Sequence, residues 1–213
     1  MGIQSLPMLL SLLAAAIPLS EPQPMAEERF QQWLLESDLQ QLERGCTDPL
    51  IGATGGRQQE IRDRLLVLHP APESFELVMA NATALLTCGS PDSAARVLNR
   101  ISPAMGEERR RWLRLRWQAA AAGLDHREAA LALRRLVNGD LIALASLELG
   151  DGRLGVDQLA EHEAALGRQE EAAAVLLLAP NTQRLAQAAE WLAGADAAAA
   201  DQLLEQALDQ AAA

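Results

Sequence analysis

The sequence has no lysine and no tyrosine, and only four tryptophans and two phenylalanines in 213 residues. All eighteen basic residues are arginine. Aromatic and β-branched side chains, the usual material of sheets, are scarce. No stretch alternates apolar and polar residues as a strand does. The two cysteines, Cys46 and Cys88, are too few for a disulfide-dense scaffold, and no histidine stands near them to complete a zinc site. Catalytic signatures are missing as well: there is no G-x-S-x-G, no H-E-x-x-H and no P-loop. The Gly-rich run 150–155, GDGRLG, lacks the lysine and the preceding strand of a phosphate loop, and 151–161 fails calcium-loop spacing. His69, His126 and His162 read as isolated, and Glu161 and Glu163 point to different sides of a helix from His162. These absences predict no catalytic residues, no metal and no cofactor.

What is abundant is alanine and leucine, the residues with high helix propensity and no branching at Cβ. The formal charge of −11 is unevenly spread. Residues 1–90 carry 5 Arg against 11 acids, residues 91–138 carry 10 against 5, and residues 139–213 carry 3 against 13. A basic middle between acidic flanks suits an anionic partner or the chain's own acidic end.

Residues 1–24 read as a hydrophobic leader and a Pro-rich linker. The apolar run Leu6–Leu19 has the length of a signal-peptide core and is short for a membrane span. No Arg precedes it and no clean small-x-small cleavage site follows it, so a buried first helix or an uncleaved anchor are the alternatives. Export to a periplasmic or lumenal space is favoured over the cytoplasm. On export, Cys46 and Cys88 are candidates for a disulfide; in the cytosol they are two small buried residues.

From 25 to 213 the pattern is helix, break, helix. Predicted helices run over 26–44, 58–69, 73–88, 92–101, 107–122, 127–138, 141–149, 156–166, 169–178, 182–193 and 197–211. Glycines close many of them, prolines block continuation, and Asp92 and Asp125 stand where caps are wanted. The units repeat. Gly89 is followed at five, nine and twelve residues by Ala94, Leu98 and Ile101, and Gly167 by Ala172, Leu176 and Ala179. Gly194 is followed by Ala199 and Leu203, and Gly123 by Ala129 and Leu133 with the pattern slipped by one. The terminal helix places Leu203, Leu204, Ala207 and Leu208 on one face, as a cap for the array.

Gly89 and Gly123 are 34 residues apart, and Trp112 and Leu115 precede Gly123 as Val156, Leu159 and Ala160 precede Gly167. On these residues, across 73–211, the chain resembles the tetratricopeptide family of helical repeats. The other glycine spacings are 44, 44 and 27, so the resemblance is degenerate. It implies an all-α fold, a right-handed α-solenoid of antiparallel helix hairpins with ten or eleven helices. It also implies that the first helix of each repeat lines a concave groove. In the helix 107–122 that face carries Arg110, Leu113, Arg114 and Trp117, opposite a packing stripe of Trp112, Leu115 and Ala119.

The function expected is a non-enzymatic interaction module or assembly factor that holds a peptide or protein partner in the groove. The alternatives are an anionic ligand or nucleic acid on the arginines of 91–138, or a helical accessory part of an envelope enzyme complex. The net negative charge disfavours nucleic acid.

Overall fold

The computed structural model describes residues 23–52, 56–69, 73–150 and 152–212. The leader of 1–22 lies outside them. Eleven α-helices are present among the described residues: α1 (Glu27–Glu36), α2 (Leu39–Thr47), α3 (Arg57–Val67), α4 (Phe75–Thr87), α5 (Pro91–Leu98), α6 (Glu107–Ala122), α7 (His126–Leu136), α8 (Gly155–Ala165), α9 (Gln169–Leu176), α10 (Thr182–Leu192) and α11 (Ala197–Ala212). The only pairing of β type among the described residues is one isolated bridge, Glu148 to Leu154. The chain is therefore all-α, as its composition predicts. From α4 onward each helix packs chiefly on its neighbours in the chain. None of the described helices is long and apolar enough to cross a membrane.

Two predicted helices are corrected. The span 26–44 breaks at Ser37–Asp38. Asp38 Oδ1 accepts from the Gln41 N–H at 2.8 Å, and Gln41 Oε1 accepts from the Asp38 N–H at 2.8 Å. This capping box starts a new helix in place of continuing the old one. The span 141–149 forms only a short 3-10 helix, Leu141–Ala145. The chain then turns back through Gly150 and Gly152, both at positive φ. The Gly155 N–H donates to Leu147 O at 2.8 Å and closes the return.

Three helix pairs, α4–α5, α6–α7 and α8–α9, close in one way. A residue just past the first helix turns left-handed: Gly89 at φ 66°, Leu124 at 59° and Gly167 at 79°. The next N–H, from Ser90, Asp125 or Arg168, reaches the carbonyl five residues earlier at 2.8, 2.8 and 3.0 Å. This satisfies a carbonyl that the helix end leaves free. Counted from the left-handed residue, the fifth position is Ala94, Ala129 or Ala172, each fully buried. The ninth is Leu98, Leu133 or Leu176, also buried. Counting back, the eleventh is Val78, Leu113 or Val156 and the seventh is Ala82, Trp117 or Ala160, all buried.

The slip seen in the sequence is thereby explained. Gly123 keeps φ at −85° and the adjacent Leu124 makes the turn. The register of the second pair is set by a leucine that looks nothing like a turn residue. The longer gap before Gly167 is taken up by the 3-10 helix and its return loop. The last pair, α10–α11, departs from the pattern. The Asp196 N–H bonds Leu192 O at 2.7 Å, and Asp196 Oδ1 caps α11 by accepting from the Ala199 N–H at 3.0 Å. α11 buries Ala200, Leu203 and Ala207 but leaves Leu204 and Leu208 exposed. The predicted single apolar face is thus split.

At the other end, Cys46 of α2 is bonded to Cys88 at the end of α4. Arg62 of α3 donates to Cys88 O at 2.6 Å, so three helices meet at this bridge. Arg100, past α5, donates to His69 O, Leu66 O and Glu73 Oε1, each at 2.6 Å, and clamps the connection between α3 and α4.

Replacing both cysteines by serine is expected to lower the unfolding free energy by up to about 4 kcal/mol, because the bridge closes a loop with a sequence separation of 42. Guanidinium titrations with and without reductant check this; a wild-type curve that ignores reductant would speak against the bridge. Leu124 is strained by its φ, and its side chain is 73% exposed. Leu124→Gly is therefore expected to raise stability by about 0.5–1 kcal/mol. Leu124→Ala, which keeps the strain, should give no such gain in the same thermal melts.

Candidate functional site

The face predicted to line an open groove is only half open. Arg110 and Arg114 are exposed on α6, but Leu113 and Trp117 are each only 2% exposed. The reason is the register. With Leu124 as the turning residue, Leu113 and Trp117 fall at the positions of Val78 and Ala82, which are core. A shift of one residue turns a helix face by about 100°. Trp112, Leu115 and Ala119 are buried as well, so α6 packs on both sides. Trp112 donates its Nε1–H to Leu98 O at 3.0 Å.

Half of the ten arginines of 91–138 pair with the chain's own carboxylates. Arg100 pairs with Glu73, Arg110 with Glu107, Arg111 with Glu76, Arg116 with Glu128 and Arg134 with Glu163. The Arg111 fork meets both oxygens of Glu76 at 2.7 and 2.9 Å, which holds that carboxyl below its ordinary pKa. Among the described residues the other five meet no carboxylate: Arg96 donates to Ser93 Oγ, Arg109 donates to Pro103 O, and Arg114, Arg127 and Arg135 are left. Arg110 and Arg114 border a shallow cleft of about 200 Å³ closed by Leu136 and Leu147.

The helix pairs act as controls for one another, and one position stands out. Four and five residues before the left-handed residue, α4 has Leu85 and Ala84, and α6 has Ala120 and Ala119. α8 has Glu163 and His162 there, and both are buried. Glu163, 1% exposed, accepts from Arg134 at Oε1 (2.8 Å) and from Arg168 at Oε2 (2.9 Å). His162 Nε2 lies 3.2 Å from the Trp117 indole nitrogen, and His162 Nδ1 lies 3.1 Å from His126 Nδ1.

The proton positions follow from chemistry. Indole N–H only donates, so His162 Nε2 accepts. The neutral ring then carries its proton on Nδ1 and donates to His126 Nδ1, which leaves the His126 proton on Nε2. Adding a proton to His162 breaks its bond from Trp117. Burial accordingly depresses the His162 pKa from 6.5 to about 4, with His126 and Arg153 acting in the same direction and Glu163 opposing them. The three histidines read as isolated in the sequence, yet two of them touch. The signal was available in the register, which puts His162 and Glu163 where the other pairs have only small or apolar residues. No group of three or more metal-ligating side chains occurs among the described residues.

A second feature escaped the sequence entirely. Between α8, α9 and α10 lies a cleft of about 200 Å³ lined by Asp157, Glu161, Leu176, Arg184, Gln187 and Trp191, with Asn181 and Gln183 at its edge. Arg184 is tied inside it. Its Nε and Nη2 donate to the two oxygens of Asp157 at 2.7 and 2.9 Å, and its Nη1 donates to Ala179 O at 2.8 Å. The hydrogen bonds to Asp157 raise the Arg184 pKa above its ordinary value. Trp191 is half-buried at the end of α10, packed against the core on one side and lining the cleft.

No family model matches the chain, and no curated protein or solved structure matches it.

Because His162 takes a proton less readily folded than unfolded, its contribution to stability is full above about pH 6.5 and falls as the pH drops toward 4, by up to about 1.4 kcal/mol per unit. Denaturant titrations across that range, on the wild type and His162→Gln, should show the difference between the two shrinking as the pH falls. A constant difference would contradict the assigned proton arrangement.

Proposed function

We propose that the chain is a non-enzymatic protein-interaction module, a short α-solenoid of antiparallel helix hairpins that binds a peptide or protein and serves in assembly. The observation that carries this is the common register of α4–α5, α6–α7 and α8–α9. Identical closure of successive pairs supports stacking in one direction, and a stack of this kind presents the first helices of its pairs on one surface. The exposed residues of that surface are Arg110, Arg111, Arg114 and Gln118 on α6, Glu161 on α8, and Gln183 and Glu190 on α10. They are polar and mixed in charge, which suits side-chain recognition of a partner. The leader-like run and the paired cysteines favour an exported, periplasmic or lumenal, location.

Affinity capture of the tagged chain from its native cells, with quantification of what accompanies it, is the test. A stoichiometric partner is expected with the wild type and reduced with Arg110→Glu plus Arg114→Glu, two exposed changes that should leave the melting curve nearly unchanged. Failure to recover any partner from soluble or envelope fractions would count against the proposal. Undiminished recovery by the variant would move the contact away from α6.

A further inference from the structure

The C-terminal third, residues 139–213, carries 13 acids and 3 arginines. Arg168 pairs with Glu163, Arg184 with Asp157, and Arg153 lies over the Trp117 ring. Glu161, Glu170, Glu171 and Glu190 are exposed on α8, α9 and α10, and among the described residues Arg168 and Arg184 pair with other carboxylates. The field over this end is therefore negative, and it draws cations.

The cleft between α8 and α10 gives that field a place to act. Arg184 and Asp157 neutralise each other in a two-point ion pair, so the cleft offers no unpaired positive charge of its own to an anion. Glu161 accepts only one hydrogen bond, from Gln158 Nε2 to Oε2 at 2.9 Å, which leaves Oε1 unused. Gln187, also lining the cleft, donates to Glu190 at 2.9 Å. Trp191 adds an indole, the aromatic ring that attracts cations most strongly. An aromatic wall and an under-used carboxylate in one small cleft form a receptor for a guanidinium or an ammonium group.

We propose that this cleft takes an arginine or lysine side chain from an extended basic segment of a partner protein, with Trp191 as the aromatic wall and Glu161 as the counter-charge. That the cation belongs to a protein rests on the interaction-module proposal; the cation preference of the cleft does not. The partner chemistry is opposite to the one suggested by the arginines of α6.

The test uses the full chain and three synthetic peptides: one alternating glycine and arginine, one glycine and glutamate, and one glycine and serine. The four indole N–H signals are followed by NMR, with Trp191 assigned through Trp191→Phe. The arginine peptide is expected to shift the Trp191 signal saturably and more strongly at low salt. Glu161→Gln should weaken that binding by roughly fivefold or more. Equal binding of the glutamate peptide, no shift of Trp191, or an unchanged affinity in Glu161→Gln would overturn the inference. Self-association seen by sedimentation and lost in Trp191→Phe would also overturn it, by making the occupant a second copy. If the peptide binds at Trp191 while no partner is captured from cells, the cleft stands and the interaction-module proposal falls. If a partner is captured equally by the wild type and Glu161→Gln, the reverse holds.

Discussion

At the ends of α4, α6 and α8 one residue turns left-handed, and the N–H after it reaches back five positions to a helical carbonyl. That single closure decides which side of the next helix meets the last. The closure puts a fully buried alanine, Ala94, Ala129 or Ala172, at the same place in each pair, and a small side chain lets packed helices approach closely. The closure then places Leu98, Leu133 and Leu176 one turn further along the same stripe. A core with almost no aromatic residues needs such close crossings, because small side chains fill space only when the helices approach. The closure and the alanine content are thus two halves of one constraint.

With the register fixed, the ionisable residues sort themselves. Four arginines of the basic middle are ties between elements: Arg100 holds the α3–α4 connection, Arg111 joins α6 to α4, Arg116 joins α6 to α7, and Arg134 reaches from α7 into α8. The all-arginine composition fits this use. A planar fork with several donors can satisfy two or three acceptors at a time, as Arg100 and Arg184 do, whereas an ammonium group offers no such fixed geometry. Glu163 and His162 are costly polar groups to bury in the core. They persist because two arginines, an indole N–H and a second imidazole answer their polar atoms.

The helical class and most helix boundaries were legible in the sequence, because glycine and proline mark helix ends. What misled was the reliance on glycine as the turn residue. At Gly123 the neighbouring Leu124 carries the strain, and nothing in a leucine announces a left-handed backbone. The error of one position moved Leu113 and Trp117 from core to groove. The register marks His162 and Glu163 as unusual core residues, but the contact of His162 with His126 depends on how α7 lies against α8. The Trp191 cleft depends on three helices at once, and no local pattern encodes it. The break at Asp38 was readable, for the spacing of Asp38 and Gln41 is that of a capping box.

The Cys46–Cys88 bridge gives the chain a polarity that the repeats alone would not. One end is a covalent knot of α2, α3 and α4, and the other is a helix, α11, whose turn lacks the common closure and whose outer leucines face water. In an array where each helix leans mainly on its neighbours, loosening starts where there is least to lose and travels inward. Such a chain would come apart as a zip does, from the C-terminal tab toward a stitched base, so that partly opened forms retain an intact N-terminal stub.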